Sequence, residues 1–182
     1  YQRGIFFSSL GQSQQAIQDF DEAIRLDPNF DLAYAYRGQA YSQLGQTQRA
    51  LQDLDQAIIL HPDRTTSYRF RAIVNRELGL YDQAEIDFTR VIQQDPENPI
   101  ARYQRASFFS SLGRTDDAIS DYAEAIRLDP EYLLAYIGRA NAYRDRGQYE
   151  RAIQDYDQAM LMDSGNAKLF DGRGAYYSQL GQ

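Results

Sequence analysis

Apolar residues recur along this chain at helical spacing rather than in alternation. Ala50, Leu51, Leu54, Ala57 and Ile58 fall on a single stripe of an α-helix. The stripes are punctuated by glycine at Gly11, Gly45, Gly79, Gly113, Gly147 and Gly181, each 34 residues after the last. Five residues after each of the first five comes Ala16, Ala50, Ala84, Ala118 or Ala152. Four further on stands Phe20, Leu54, Phe88, Tyr122 or Tyr156, then Ala23, Ala57, Val91, Ala125 or Ala159. Pro28, Pro62, Pro96 and Pro130 close the period, with Ser164 in the fifth slot.

Each period reads as two helices. Glycine ends the first because it enters the left-handed conformation cheaply. Proline, about a turn past the last apolar residue, stops the second. First helices are expected near 1–10, 33–44, 66–78, 100–112, 134–146 and 168–180. Second helices are expected near 14–26, 48–60, 82–94, 116–128 and 150–162. Ser13, Thr47 and Thr115 have the chemistry of N-caps for three of the second helices. Where Ala50 and Ala57 face a helix across Gly38, two backbones approach closely, and Tyr41 and Leu54 fill the space beside them. One hairpin cannot cover its own apolar face, so hairpins must stack.

The second period shows the pattern in full: Tyr34, Arg37-Gly38, Tyr41, Gly45, Ala50, Leu54, Ala57 and Pro62. In spacing and residue type this resembles the tetratricopeptide repeat. The resemblance implies an all-α fold, a right-handed superhelical solenoid of antiparallel helical hairpins with about five and a half 34-residue repeats. The whole chain is then one array, with repeats at 1–30, 31–64, 65–98, 99–132 and 133–166 and a half repeat at 167–182. Departures from the pattern are Asn75 in the tyrosine slot, Arg102 in the first aromatic slot and Arg146 where the other units have leucine. Residues 1–28 match 103–130 through YQR, FFSSLG and EAIRLDP, which points to duplication of a three-hairpin block.

Composition narrows the function. Apolar residues make up 43% and charged residues 25%, as in a folded soluble protein. A net charge of −7 argues against a nucleic-acid binder or a protein held on an anionic membrane. No apolar run is long enough for membrane insertion. The compartment is open, with the cytoplasm the expected one. The chain has no cysteine and only one histidine, His61, beside Pro62 in an inter-unit loop. No metal site, cofactor or catalytic residue is expected, and the chain reads as a non-enzyme. The acidic pairs Asp116-Asp117 and Asp19-Asp21 fall at helix starts or on outer faces.

Two sets of residues are candidates for function. Where the family has leucine before the small residue of the first helix, this chain has Arg3, Arg37, Arg71, Arg105, Arg139 and Arg173. The second helices carry Asp19, Asp53, Asp87, Asp121 and Asp155. Arg37 and Asp53 lie eight residues before and after Gly45, at one level of an antiparallel hairpin. Arg37–Asp53, Arg71–Asp87, Arg105–Asp121 and Arg139–Asp155 thus form either a structural ladder that sets register or a charged ligand-binding ladder.

The second set follows from the family, whose concave face is lined by first-helix residues. These positions are Tyr1, Ile5, Ser8 and Ser9 in the first unit and Leu32, Ala35, Gln39, Ser42 and Gln43 in the second. The third supplies Thr66, Arg69, Ile73, Arg76 and Glu77, and the fourth Ile100, Tyr103, Ser107, Ser110 and Ser111. The fifth supplies Leu134, Ile137, Asn141, Arg144 and Asp145. Among them Arg69, Ile73, Arg76, Tyr103, Ser107, Leu134, Ile137, Asn141 and Arg144 are the expected peptide-binding residues. Such a mixture suits a protein or peptide with acidic and apolar residues. Leu32, Ile100 and Leu134 serve equally well as seals between repeats. The lysine, asparagine and arginine clamp by which some members hold a C-terminal carboxylate is absent, its slots holding Tyr1, Ile5, Tyr36, Thr66 and Phe70. The expected function is a protein–protein interaction scaffold. The alternatives are a structural spacer or self-assembling array, or the targeting arm of a larger enzyme. End-to-end self-association would use faces around Phe170, Tyr176 and Tyr177.

Overall fold

The structure is a computed structural model that describes residues 1–179, so Gly181 of the glycine series lies outside the described residues. Among the described residues there are eleven α-helices and no strand. The chain divides into two compact units, Tyr1–Gln94 and Asp95–Gln182. The first holds α1 (Gln2–Ser9), α2 (Ser13–Leu26), α3 (Asp31–Gln43), α4 (Thr47–Leu60), α5 (Thr65–Glu77) and α6 (Tyr81–Gln94). The second holds α7 (Pro99–Ser111), α8 (Thr115–Leu128), α9 (Leu133–Asp145), α10 (Tyr149–Met162) and α11 (Ala167–Gln179). Within each unit every helix packs on its neighbour in sequence, and first helices also touch each other, as α3 on α5 and α7 on α9.

The turn inside each hairpin is built around a left-handed glycine. Gly45 has φ +73°, donates to Ser42 O at 2.8 Å, and the next residue, Gln46, donates to Tyr41 O at 2.9 Å. That pair of bonds satisfies the last carbonyls of α3. It also displaces the expected caps by one residue. Gln12, Gln46 and Arg114 occupy the cap positions without a side-chain bond to the N–H groups of the first turn, and Ser13, Thr47 and Thr115 are already helical. Gln46 turns its N–H back into α3 while its carbonyl accepts from Ala50 N at 3.0 Å, so the next helix starts at once. The Ser13 hydroxyl instead donates to Gln43 Oε1 at 2.7 Å. A side-chain cap forms at Asn98, which accepts from the N–H groups of Ile100 and Ala101 at 3.0 and 3.1 Å ahead of Pro99. Second helices end on an extended residue, Asp27 at φ −137° before Pro28, as proline's ring demands. Asp163 adopts φ −138° before Ser164, so this turn forms without proline too.

The core follows the small-and-large pattern. Ala35, Ala50, Leu54, Ala57, Phe70 and Val74 form one buried cluster in the first unit, and Ala16, Phe20 and Ala40 another. In the second unit the corresponding cluster joins Ala140, Ala152, Ile153, Tyr156, Ala159, Leu169 and Tyr176. A Cβ placed on Gly38 would lie 2.9 Å from Leu54 Cγ and 3.0 Å from the Ala50 carbonyl oxygen, which is why glycine stands there. Tyr176 is only 4% exposed because its ring turns inward onto Tyr156, at 5.4 Å between centroids. The expectation that Tyr176 forms part of an open stacking face is therefore corrected. Tyr177 is half-buried and Phe170 remains exposed.

Candidate peptide-binding surface

Each ladder arginine meets its own second helix. Arg37 donates from Nε and Nη2 to the two oxygens of Asp53, both at 2.7 Å, and Arg71 does the same to Asp87 at 2.9 and 2.8 Å. Arg105 holds Asp121 at 2.6 and 2.9 Å, Arg139 holds Asp155 at 2.8 and 2.7 Å, and Arg3 holds Asp19 at 2.8 and 2.5 Å. Asp53, Asp87, Asp121 and Asp155 are all buried. The bidentate bonds to Asp53 and Asp87 hold the Arg37 and Arg71 guanidiniums still more firmly protonated than usual, against the opposing cost of burial. For Arg139 burial is the largest single influence and works against protonation, and the bonds to Asp155, its charge and the nearby Tyr143 and Tyr136 together outweigh it.

A second acid completes some rungs. Arg37 Nη1 donates to Asp21 at 2.6 Å, Arg71 Nη1 to Asp55 at 2.7 Å, and Arg173 Nη1 to Asp157 at 2.6 Å. These acids sit on the preceding second helix, and of them only Asp21 is singled out from the sequence, as one of an acidic pair. Aromatic residues flank the same guanidiniums, as Tyr34 and Tyr41 do Arg37 at 5.4 and 5.9 Å from the ring centroids. Two of the departures from the pattern, Asn75 and Arg102, replace a ring with a polar contact to the ladder carboxylate of their own repeat. Asn75 donates to Asp87 at 3.3 Å, and Arg102 donates to Asp121 at 3.2 Å. Arg64 and Asp31 form a further ion pair that sequence reading missed. Their slots hold other residue types in the remaining repeats, so no period marks them.

The expected groove residues divide between the units. Arg69, Ile73 and Arg76 lie on α5, in the first. Ile73 lines a cleft of about 200 Å³ with Gln39, Ser42, Gln43, Phe70, Val74 and Glu77, between α3 and α5. Ser42 donates across it to Glu77 Oε2 at 3.0 Å. Arg69 lies 4.8 Å from the centroid of the Phe70 ring and, like Arg76, has no ion-pair partner among the described residues.

In the second unit the Tyr103 ring sits 5.7 Å from that of Tyr122 and 5.3 Å from that of Tyr132. Ser107 is half-buried beside Tyr122, whose hydroxyl is kept protonated above its usual range chiefly by burial. Leu134 is half exposed, and Ile137 packs against the core. Asn141 Oδ1 accepts from the hydroxyls of Tyr176 at 3.1 Å and Tyr156 at 3.4 Å. Asn141 and Arg144 line a cleft of about 340 Å³ with Tyr149, Tyr156, Gly172, Ala175 and Tyr176. Arg144 is partnered, donating to Asp145 at 2.9 Å. A wider cleft of about 660 Å³ opens on α5 and α6, with Tyr68, Arg71, Ile86 and Arg90 in its wall. No signal in the sequence pointed to it. Among the described residues no group of acids and histidine is arranged to hold a metal ion, and no helix is long and apolar enough to cross a membrane.

Stacked antiparallel hairpins with a left-handed glycine at each turn define a helical-repeat protein. Family models described as tetratricopeptide repeat match residues 39–103 and 103–167, and one described as TPR repeat matches 7–45. The chain belongs to the tetratricopeptide repeat family. No curated protein matches it in sequence. Among solved structures it is similar to MamA, with TM-score 0.75 and 22% identity over 91% of this chain and 96% of that one. It is also similar to YrrB, described as a TPR protein with an unusual peptide-binding site, with TM-score 0.71 and 19% identity over 94% and 88%. A third is the first TPR of Spaghetti (RPAP3) bound to the HSP90 peptide SRMEEVD, with TM-score 0.60 and 24% identity over 65% and 96%. At these identities the likeness concerns the fold.

Proposed function

We propose that this chain is a protein-interaction scaffold whose first-helix faces take up a partner segment carrying acidic and large apolar residues. The observation that carries this reading is the contrast among its arginines. Arg37, Arg71, Arg105 and Arg139 are each matched to a buried aspartate, whereas Arg69 and Arg76 have no acid partner among the described residues. They share α5 with Phe70 and Ile73, which line the cleft, in a protein of net charge −7. Acidic groups of a partner would be steered by these arginines, while apolar residues in the cleft supply most of the affinity by desolvation. In the second unit Tyr103, Ser107, Leu134, Ile137, Asn141 and Arg144 offer a comparable mixture. Peptide binding by YrrB and by the RPAP3 fragment, as their descriptions state it, supports this use of the fold. No catalytic step is part of the reading.

The test is recovery of a partner from native lysate followed by titration of the purified pair. Arg69→Glu with Arg76→Glu is expected to weaken binding strongly and to remove most of its salt dependence, with helical content intact. Tyr103→Ala is expected to weaken it with little change in salt dependence. A partner whose affinity survives all three substitutions overturns the first-helix reading.

A further inference from the structure

The internal repeat supplies its own controls for one position beside α8. At Arg37, Arg71 and Arg173, Nη1 is taken by an aspartate sixteen residues earlier: Asp21, Asp55 and Asp157, at 2.6, 2.7 and 2.6 Å. These acids are 51%, 55% and 45% exposed, so the slot they occupy opens to water. Sixteen residues before Arg139 the slot holds Ala123. Nη1 of Arg139 has no hydrogen-bond partner among the described residues, while Nε and Nη2 remain fixed on Asp155.

A second cation stands close by. Arg151 lies 5.6 Å from the centroid of the Tyr143 ring, and Arg139 lies 5.9 Å from the same centroid. The side-chain partner of Arg151 is the neutral Gln148, at 3.1 Å. In the first unit Arg37 and Arg49 flank Tyr41 in the same way, at 5.9 and 5.7 Å, and there Asp21 fills the slot.

We propose that the notch left by Ala123 beside Arg139 binds a carboxylate presented by an aspartate or glutamate side chain of a partner protein. The chemistry is read from the slots of Arg37, Arg71 and Arg173, which hold a carboxylate on the same guanidinium nitrogen, whereas the slot of Arg105 holds the hydroxyl-bearing Thr89. Alanine leaves out the carboxylate and exposes the donor it would have met. Asp155 and the Tyr136 and Tyr143 rings already order Arg139, so an incoming carboxylate gains a charge-assisted bond without the cost of immobilising the arginine. Arg151 adds the charge that makes an acid welcome beside a rung already neutralised by Asp155. This site is separate from the first-helix surface and does not depend on it.

The test follows the Arg139 side-chain Nε–Hε resonance by NMR in the whole chain at constant ionic strength. The probes are sodium acetate and a blocked tetraglutamate peptide. Both are expected to shift the resonance saturably, the peptide with affinity higher by on the order of ten-fold through rebinding of its several carboxylates. Ala123→Asp, which fills the slot, and Ala123→Leu, which closes it without charge, are each expected to abolish the shift. Arg151→Gln is expected to weaken it several-fold. Absence of a saturable shift, or a shift that survives both Ala123 variants, overturns the site. Acetate binding as tightly as the peptide overturns the assignment to a partner protein.

Discussion

Arg37 holds Asp53 through two parallel N–H···O bonds of 2.7 Å, with the two side chains only 18% and 10% exposed. A pair so shielded gains strong attraction but also bears the cost of desolvating both charges. Its removal in halves and its removal as a whole therefore have different consequences. Asp53→Ala leaves the guanidinium with Asp21 alone and two donors unmatched, and is expected to destabilise the protein by about 2 kcal/mol. The double variant Arg37→Met, Asp53→Leu is expected to fall within ~1 kcal/mol of the parent. Urea unfolding of both singles and the double checks this. Additive losses would mean the pair is not coupled.

The close approach at Gly38 makes a second expectation quantitative. Gly38→Ala forces a methyl group to 2.9 Å from Leu54 and 3.0 Å from a backbone oxygen, and is expected to cost about 2 kcal/mol. Gly45→Ala meets no atom within 4 Å and is strained only by its φ of +73°, at about 1 kcal/mol. Thermal unfolding should rank the first below the second. The double variant Gly38→Ala, Leu54→Ala should recover part of the steric cost.

Asn75 and Arg102 give a third. Asn75→Ala removes a buried hydrogen bond to Asp87 and is expected to cost about 1 kcal/mol. Arg102→Tyr restores the ring found at Tyr34, Tyr68 and Tyr136 and leaves Asp121 with its two bonds from Arg105, so stability should change by less than ~0.5 kcal/mol. Chemical unfolding of each variant is the measurement.

The fourth concerns alkaline pH. Burial, reinforced by the neighbouring Tyr103, raises the Tyr132 hydroxyl to about 12, and burial raises that of Tyr1 to about 12 as well. The folded value is raised above that of the unfolded chain, roughly 10. The contribution is therefore whole below pH roughly 10 and is lost as pH rises toward about 12. Phenolate absorbance should lag behind that of free tyrosine through this window. Tyr132→Phe should flatten the fall in stability.

Much of this architecture was legible in the residues because its signals are local and repeated. A glycine every 34 residues, alanine at a set distance after it and a heavy apolar residue one turn later specify hairpin, turn and buried face. The spacing of Arg37 and Asp53 about Gly45 brings them level on facing helices whatever lies beyond the hairpin. Stacking decided the rest. Asp21 and Asp55 look like solvated surface acids until the next hairpin brings Arg37 and Arg71 against them. Arg64 and Asp31 pair once in the chain, so no period announces them. Tyr176 occurs in a helix whose pattern leaves both faces plausible, and only the position of Tyr156 turns its ring inward. The donor left over on Arg139 likewise emerges from packing, because a missing partner has meaning only where its place is defined by neighbours. Helices and turns answer to bonds within a few residues, which sequence spacing records. Contacts between hairpins answer to side-chain reach across a packed surface, which spacing records only when it repeats.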